Sequence, residues 1–154
     1  MIVKAAITLK KPTGKLSVQE TKKIVSEWDM NSVRKYLVRN EGLSFEETGP
    51  LETEYKRYLI LRSLYQDVLS FPMSKPVDGM WHAHILHTRD YEKFERAVGC
   101  RLHHNPCVSD EELLELEAPY IENTMRMYKE VFGEEPDERY WPTEGQMCIC
   151  GYCD

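Results

Sequence analysis

Apolar and aromatic side chains recur every three or four residues at Tyr55, Tyr58, Leu61, Tyr65 and Val68, and again at Ile121, Met125, Tyr128 and Phe132. That spacing puts each set on one face of an α-helix, and a chain carrying two such stripes must bury them against other helices. The punctuation agrees. Ser17-Val18-Gln19-Glu20 and Ser109-Asp110-Glu111-Glu112 are capping boxes, in which the serine hydroxyl and the glutamate three residues on satisfy amide donors that a helix start leaves open. The first predicts a helix from Ser17 to about Trp28. Asp29 or Asn31 can cap a following helical turn carrying Val33, Tyr36 and Leu37, which Gly42 ends. Ser44 to Gly49 is polar enough for a link, and Pro50 suits the first turn of a long helix over about 50–69.

Pro72 and Pro76 favour extended backbone before the next helix, about 77–98, which Gly99 terminates. A loop over 100–108 precedes the second capping box. Pro119 then divides a short helix from a longer one, Gly133 ends the latter, and the remainder reads as coil. Residues 2–9 alternate weakly and suit one short strand. The expectation is a mainly α fold: a compact single-domain bundle of five to six helices over 1–145, with a cysteine-bearing tail over 146–154.

At 154 residues the chain can bury one genuine core. A formal net charge of -6 and the lack of a basic run argue against phosphate backbones and anionic membranes as partners. No apolar run approaches the length that spans a bilayer, and the apolar start has neither a basic region nor a cleavage site, so the cytoplasm is the expected compartment. There the five cysteines are thiols or metal ligands before they are bridges.

All five histidines fall between His82 and His104. Imidazole binds metals and shuttles protons near neutral pH, and scattered core histidines would rarely gather this way. On a helix over 77–98, Asp78 and His82 are four apart and share the polar face, while His84, His87 and Tyr91 lie on the apolar side. One straight helix therefore cannot bring His82 and His84 to one ion. A carboxylate with imidazoles suits zinc or iron(II). The expected metal ligands are Asp78, His82 and His104. His84 or His103 serves as a further ligand or as the proton carrier of catalysis, and Tyr91 is a supporting hydrogen-bond donor at the cofactor site. A fallback site uses His84, His87 and His103. The bland alternative has His84 and His87 satisfying buried hydrogen bonds.

The stretch Val77-Asp78, Trp81-His82-Ala83-His84, Tyr91, Gly99, His103-His104-Asn105-Pro106 resembles the short bacterial relatives of the glycine-rich domain-containing protein family. The likeness is strong over about thirty residues and loose over about eighty. It departs from the family pattern in three places. His87 stands where an aspartate is common, an aromatic near Val98 is missing, and the glycine-rich C-terminal segment is reduced to the cysteine tail. The resemblance implies a helical module with a polar or metal site around Asp78, His82, His84 and His104, and it implies no particular reaction.

Cys148-x-Cys150-x-x-Cys153 is a dense thiol cluster without the paired spacing of a zinc knuckle. Three thiolates could still bind zinc or copper(I), with Cys107 or Cys100 as a fourth, and a tail without metal is expected to be exposed and loosely held. Two functions compete. One is a mononuclear metal-dependent hydrolase or oxidase acting on a small molecule or peptide. The other is a non-catalytic metal-binding or interaction module whose tail is modified or passes metal to a protein partner.

Overall fold

Ser17 opens the first helix, α1 (Val18–Glu27), by the reciprocal pair expected of it: Glu20 N donates to the Ser17 hydroxyl at 3.2 Å and Ser17 N to the Glu20 carboxylate at 2.8 Å. The computed structural model describes residues 12–66, 72–104, 110–141 and 148–149. Among them α1 is followed by α2 (Asn31–Glu41), α3 (Phe45–Leu64), a two-residue strand β1 (Pro72–Met73), α4 (Lys75–Leu86), α5 (Thr88–Val98), α6 (Asp110–Phe132) and a two-residue strand β2 (Cys148–Ile149). The described residues form a compact, mainly α bundle of six helices. The expected strand at 2–9, the Ser109 cap, Asn105, Pro106, Cys107, Cys150 and Cys153 lie outside the described residues.

Besides the end of α3 at Leu64, short of the expected 69, three boundaries differ from expectation. Ser44 to Gly49 is helix rather than link, because Ser44-Phe45-Glu46-Glu47 is itself a capping box, with contacts of 3.1 and 2.7 Å. Pro50 consequently sits inside α3 rather than in its first turn. Pro119 likewise lies within α6, which runs unbroken for 23 residues; a helix tolerates an interior proline at the loss of one amide donor. The third difference, a break at His87, shapes the site and is described below. The glycine stops hold, with Gly42, Gly99 and Gly133 at φ 71°, 74° and 69°, a region that disfavours side chains.

α3 is the axis of the bundle. From Tyr58 to Leu64 every residue is buried, so this stretch has no solvent face. α1, α2, α4 and α6 all pack on it. Its C-terminus is closed by the chain at 13–14, where Thr13 N and Gly14 N both donate to Leu64 O, at 2.8 and 3.2 Å. A Cβ on Gly14 would stand 2.7 Å from the Ser63 carbonyl, so only glycine fits there. The aromatic centre of the core joins Tyr58 to Trp81 (5.3 Å between rings) and Trp141 (6.3 Å).

The segment after α6 is not the featureless coil expected of it. Trp141 is buried, and its indole N–H donates to Glu54 on α3 at 2.5 Å. The same carboxylate oxygen accepts from the Tyr128 hydroxyl at 3.0 Å. Farther on, β2 pairs antiparallel with β1, Cys148 opposite Met73, so the backbone at the start of the cysteine tail is held beside the entry to α4.

Candidate metal centre

Two elements meet at the site, and local sequence explains each. Ser74 caps α4, its hydroxyl accepting from Val77 N at 3.3 Å, and Pro76 fits the first turn. Asp78 therefore falls in the first turn, where the helix dipole favours a carboxylate. His82 stands one turn later on the same face, its Nδ1 3.6 Å from Asp78 Oδ2. His84 points the other way, and both it and Trp81 are fully buried.

The helix expected over 77–98 is two helices. At His87 the main chain leaves helical geometry (ψ 61°). His87 N bonds the His84 carbonyl at 3.0 Å, and the His87 ring takes the Ala83 carbonyl at 2.7 Å in place of the main-chain bond. The side chain thus substitutes for the backbone at the joint and lets α5 leave in a new direction.

His104 arrives on the loop after α5. Gly99 N and Cys100 N both donate to the Glu95 carbonyl, and Leu102 N donates to the Glu95 carboxylate at 2.7 Å. Tyr91 donates its hydroxyl to the Leu102 carbonyl and accepts from the Trp81 indole N–H at 2.9 Å. So held, the His104 ring lies between Trp81 (4.3 Å, 6° between planes) and His82 (4.5 Å, 21°). Its Nε2 is 2.8 Å from Asp78 Oδ1.

Asp78, His82 and His104 each offer one ligand atom, and the three atoms lie within 4.8 Å of one another. The side chains grade from the interior outward, 3% exposed at His104, 19% at Asp78 and 55% at His82. Both ring nitrogens of His104 and Oδ1 of Asp78 are buried, and among the described residues none makes a hydrogen bond of acceptable direction. The 2.8 Å contact is short enough for one, so what fails is the aim of the ring N–H. A cation bound at about 2.1 Å by tetrahedrally placed atoms separates them by roughly 3.4 Å. The observed 2.8 Å to Asp78 Oδ1 and 3.6 Å to Asp78 Oδ2, measured to the two oxygens of one carboxylate, lie on either side of that value, and three ligand atoms within 4.8 Å of one another could close on a small divalent ion.

The other residues expected at the site are placed elsewhere or beside it. His84 is enclosed in the core. The Tyr55 hydroxyl, kept protonated by burial, donates to its Nδ1 at 2.8 Å, and its Nε2 faces Asp90 Oδ2 at 3.1 Å, an oxygen that also accepts from the Trp28 indole. Burial pushes the His84 pKa down to about 4, against the upward pull of Asp90. The Tyr91 hydroxyl donates to the loop carrying His104 and to none of the three ligand residues among the described contacts. His103 is half-buried beside His104 in sequence. His84, His87 and His103, the fallback set, form no such ligand group among the described residues. Two contributors escape a sequence reading. Trp81 gives His104 its stacking surface, and Glu95 anchors the loop. Tyr91 and Glu95 are four apart on α5, but no local spacing points to Leu102 as their shared partner.

No helix among the described residues is long and apolar enough to cross a membrane. No curated protein and no solved structure matches the chain. A family profile described as UCP032817-like matches residues 18–126, from the start of α1 into α6, with Asp78, His82 and His104 all inside the matched span. On that match, which covers more than half of its residues, the chain belongs to the UCP032817-like family.

Proposed function

We propose that Asp78, His82 and His104 hold one divalent cation, zinc or iron, and that the bound ion serves a hydrolytic or oxidative reaction on a small molecule or peptide. The observation that carries this reading is the buried, poorly hydrogen-bonded trio of Asp78 Oδ1 and the two His104 nitrogens, facing an exposed His82. Buried polar atoms normally find partners, and a cation would supply one here. Three protein ligands leave coordination positions for water or substrate, where a bound metal supplies Lewis acidity. Asp78 contributes the charge, His104 the fixed ligand and His82 the ligand nearest solvent. Of the two histidines considered for proton transfer, His103 neighbours a ligand in sequence, whereas both nitrogens of His84 are engaged in the core. The likeness of the Trp-His-x-His and His-His-x-Pro motifs to the glycine-rich domain-containing proteins, and a cytoplasmic setting, belong to this proposal.

A second reading, in which the site is non-catalytic and the cysteine tail passes metal to it or to a protein partner, draws on one observation. Cys148 pairs with Met73, immediately before the Ser74 cap of the helix that carries Asp78 and His82. The test of the first reading is metal analysis of untagged protein supplied with zinc or iron(II). The expected result is about one equivalent in the wild type and little in His82→Ala or His104→Ala. Metal-free wild type would end it. Cobalt(II) substitution separates the two readings, since added azide should perturb the absorption spectrum of an open site and leave a closed one unchanged.

A further inference from the structure

We propose that Tyr91 and Glu95, one turn apart on α5, are positioning residues that clamp the backbone of Leu102 and thereby set the metal affinity of His104. The inference rests on the metal reading above. It comes from a feature that reading does not use: both backbone polar groups of one loop residue are held by side chains of one helix face. Leu102 N donates to Glu95 Oε1 at 2.7 Å, and the Leu102 carbonyl accepts from the Tyr91 hydroxyl. The Leu102 side chain is itself buried. With Leu102 held at both its N–H and its carbonyl and its side chain packed, the next residues have little freedom, and His104 is two positions on.

The clamp is also tied to the other ligands. The Tyr91 hydroxyl uses its acceptor capacity on the Trp81 indole N–H at 2.9 Å. Trp81 stands between Asp78 and His82 in α4 and stacks on His104 at 4.3 Å. One phenol therefore links the helix carrying two ligands to the loop carrying the third. A ligand that is already in place before the ion arrives loses less freedom on binding, so affinity should track the integrity of the clamp. Groups that orient a metal ligand are commonly worth about tenfold to a hundredfold in affinity.

The experiment is a cobalt(II) titration of the untagged full chain, read by the cobalt absorption bands, with the melting temperature of each metal-free variant measured alongside. Tyr91→Phe and Glu95→Ala are expected to weaken cobalt binding about tenfold or more. Glu95→Gln keeps an oxygen that can accept from Leu102 N and is expected to bind close to wild type. Glu95 is only half-buried and alanine suits a helix, so Glu95→Ala decides the matter if Tyr91→Phe does not fold. Wild-type affinity and spectrum in folded Glu95→Ala, with only a lower metal-free melting temperature, would make the clamp a stability feature and overturn the inference while leaving the metal site intact. A wild-type chain that binds no cobalt would overturn the metal reading and the clamp's role with it.

Discussion

His84 is neutral in the folded chain well below the pH at which a free imidazole gains its proton. Burial holds its pKa at about 4, and a proton added there would have to break the Tyr55 contact or charge the core. The unfolded chain binds that proton near pH 6.5, so it holds more protons than the folded chain between the two values. Stability from this residue is therefore complete above about pH 6.5 and is lost as pH falls toward 4, by up to roughly 3 kcal/mol. Denaturant unfolding in the presence of a chelator, from pH 7.5 to pH 4, should reveal the slope. His84→Gln should be less stable at neutral pH and should flatten it. A wild-type curve level across that range would refute the assignment. At this scale the sequence was informative about direction: helical spacing already separated Asp78 and His82 from His84. It was silent on partners, because Tyr55, Asp90 and Trp28 come from three other stretches of chain.

Among the elements, α3 depends on a signal of four residues. Its first amides are satisfied by Ser44 and Glu47, and this cap outweighs the proline five residues into the helix. Ser44→Ala is expected to cost about 1 kcal/mol in denaturant unfolding, while Ser44→Asp should be nearly neutral. If both were silent, the start of α3 would be held by packing alone. Arg34 offers a reason to check, since its guanidinium donates to the Phe45 carbonyl at 3.1 Å from outside the helix. The joint between α4 and α5 is a different case. Nothing in the spacing of residues 77–98 marks a stop, because the apolar stripe continues through Tyr91, Phe94 and Val98. At the break the His87 ring takes the Ala83 carbonyl, a side-chain bond that competes with the helix's own and that the spacing of residues does not announce.

For the whole molecule, Glu54 is the carboxylate on which the last described turn depends. It accepts from Tyr128 and Trp141, with Arg57 3.4 Å from its other oxygen. Glu54→Ala leaves a buried hydroxyl and a buried indole N–H without that acceptor and should cost about 2–4 kcal/mol. The fluorescence of Trp141 should report it through greater quencher access. Unchanged stability would show that the turn at 137–141 holds itself. Metal should add stability on top of this framework, since an ion that binds the folded chain alone shifts unfolding in its favour. A chelator is expected to lower the melting temperature at pH 7.5 and to matter less at pH 5, where protons compete for the ligands. A melt indifferent to chelator at both values, in protein shown to be metal-free, would favour a site without an ion.

Features that depend on neighbours along the chain are already written in the order of residues. Helices arise wherever apolar residues recur at three and four, Ser17 and Glu20 cap one of them, and the glycines at 42, 99 and 133 stop others. Asp78 and His82 share a face because four residues make about one turn. Tertiary packing set what depends on distant residues. It chose α3 as the axis, although that helix and α6 carry similar stripes, because burial on all sides is a property of the assembled bundle. It brought His104 to Asp78 through Glu95, Tyr91 and Trp81, whose hydrogen bonds close a loop that no local periodicity encodes. Local geometry fixes which way a side chain faces its own helix; what it meets there is set by the packing of the others.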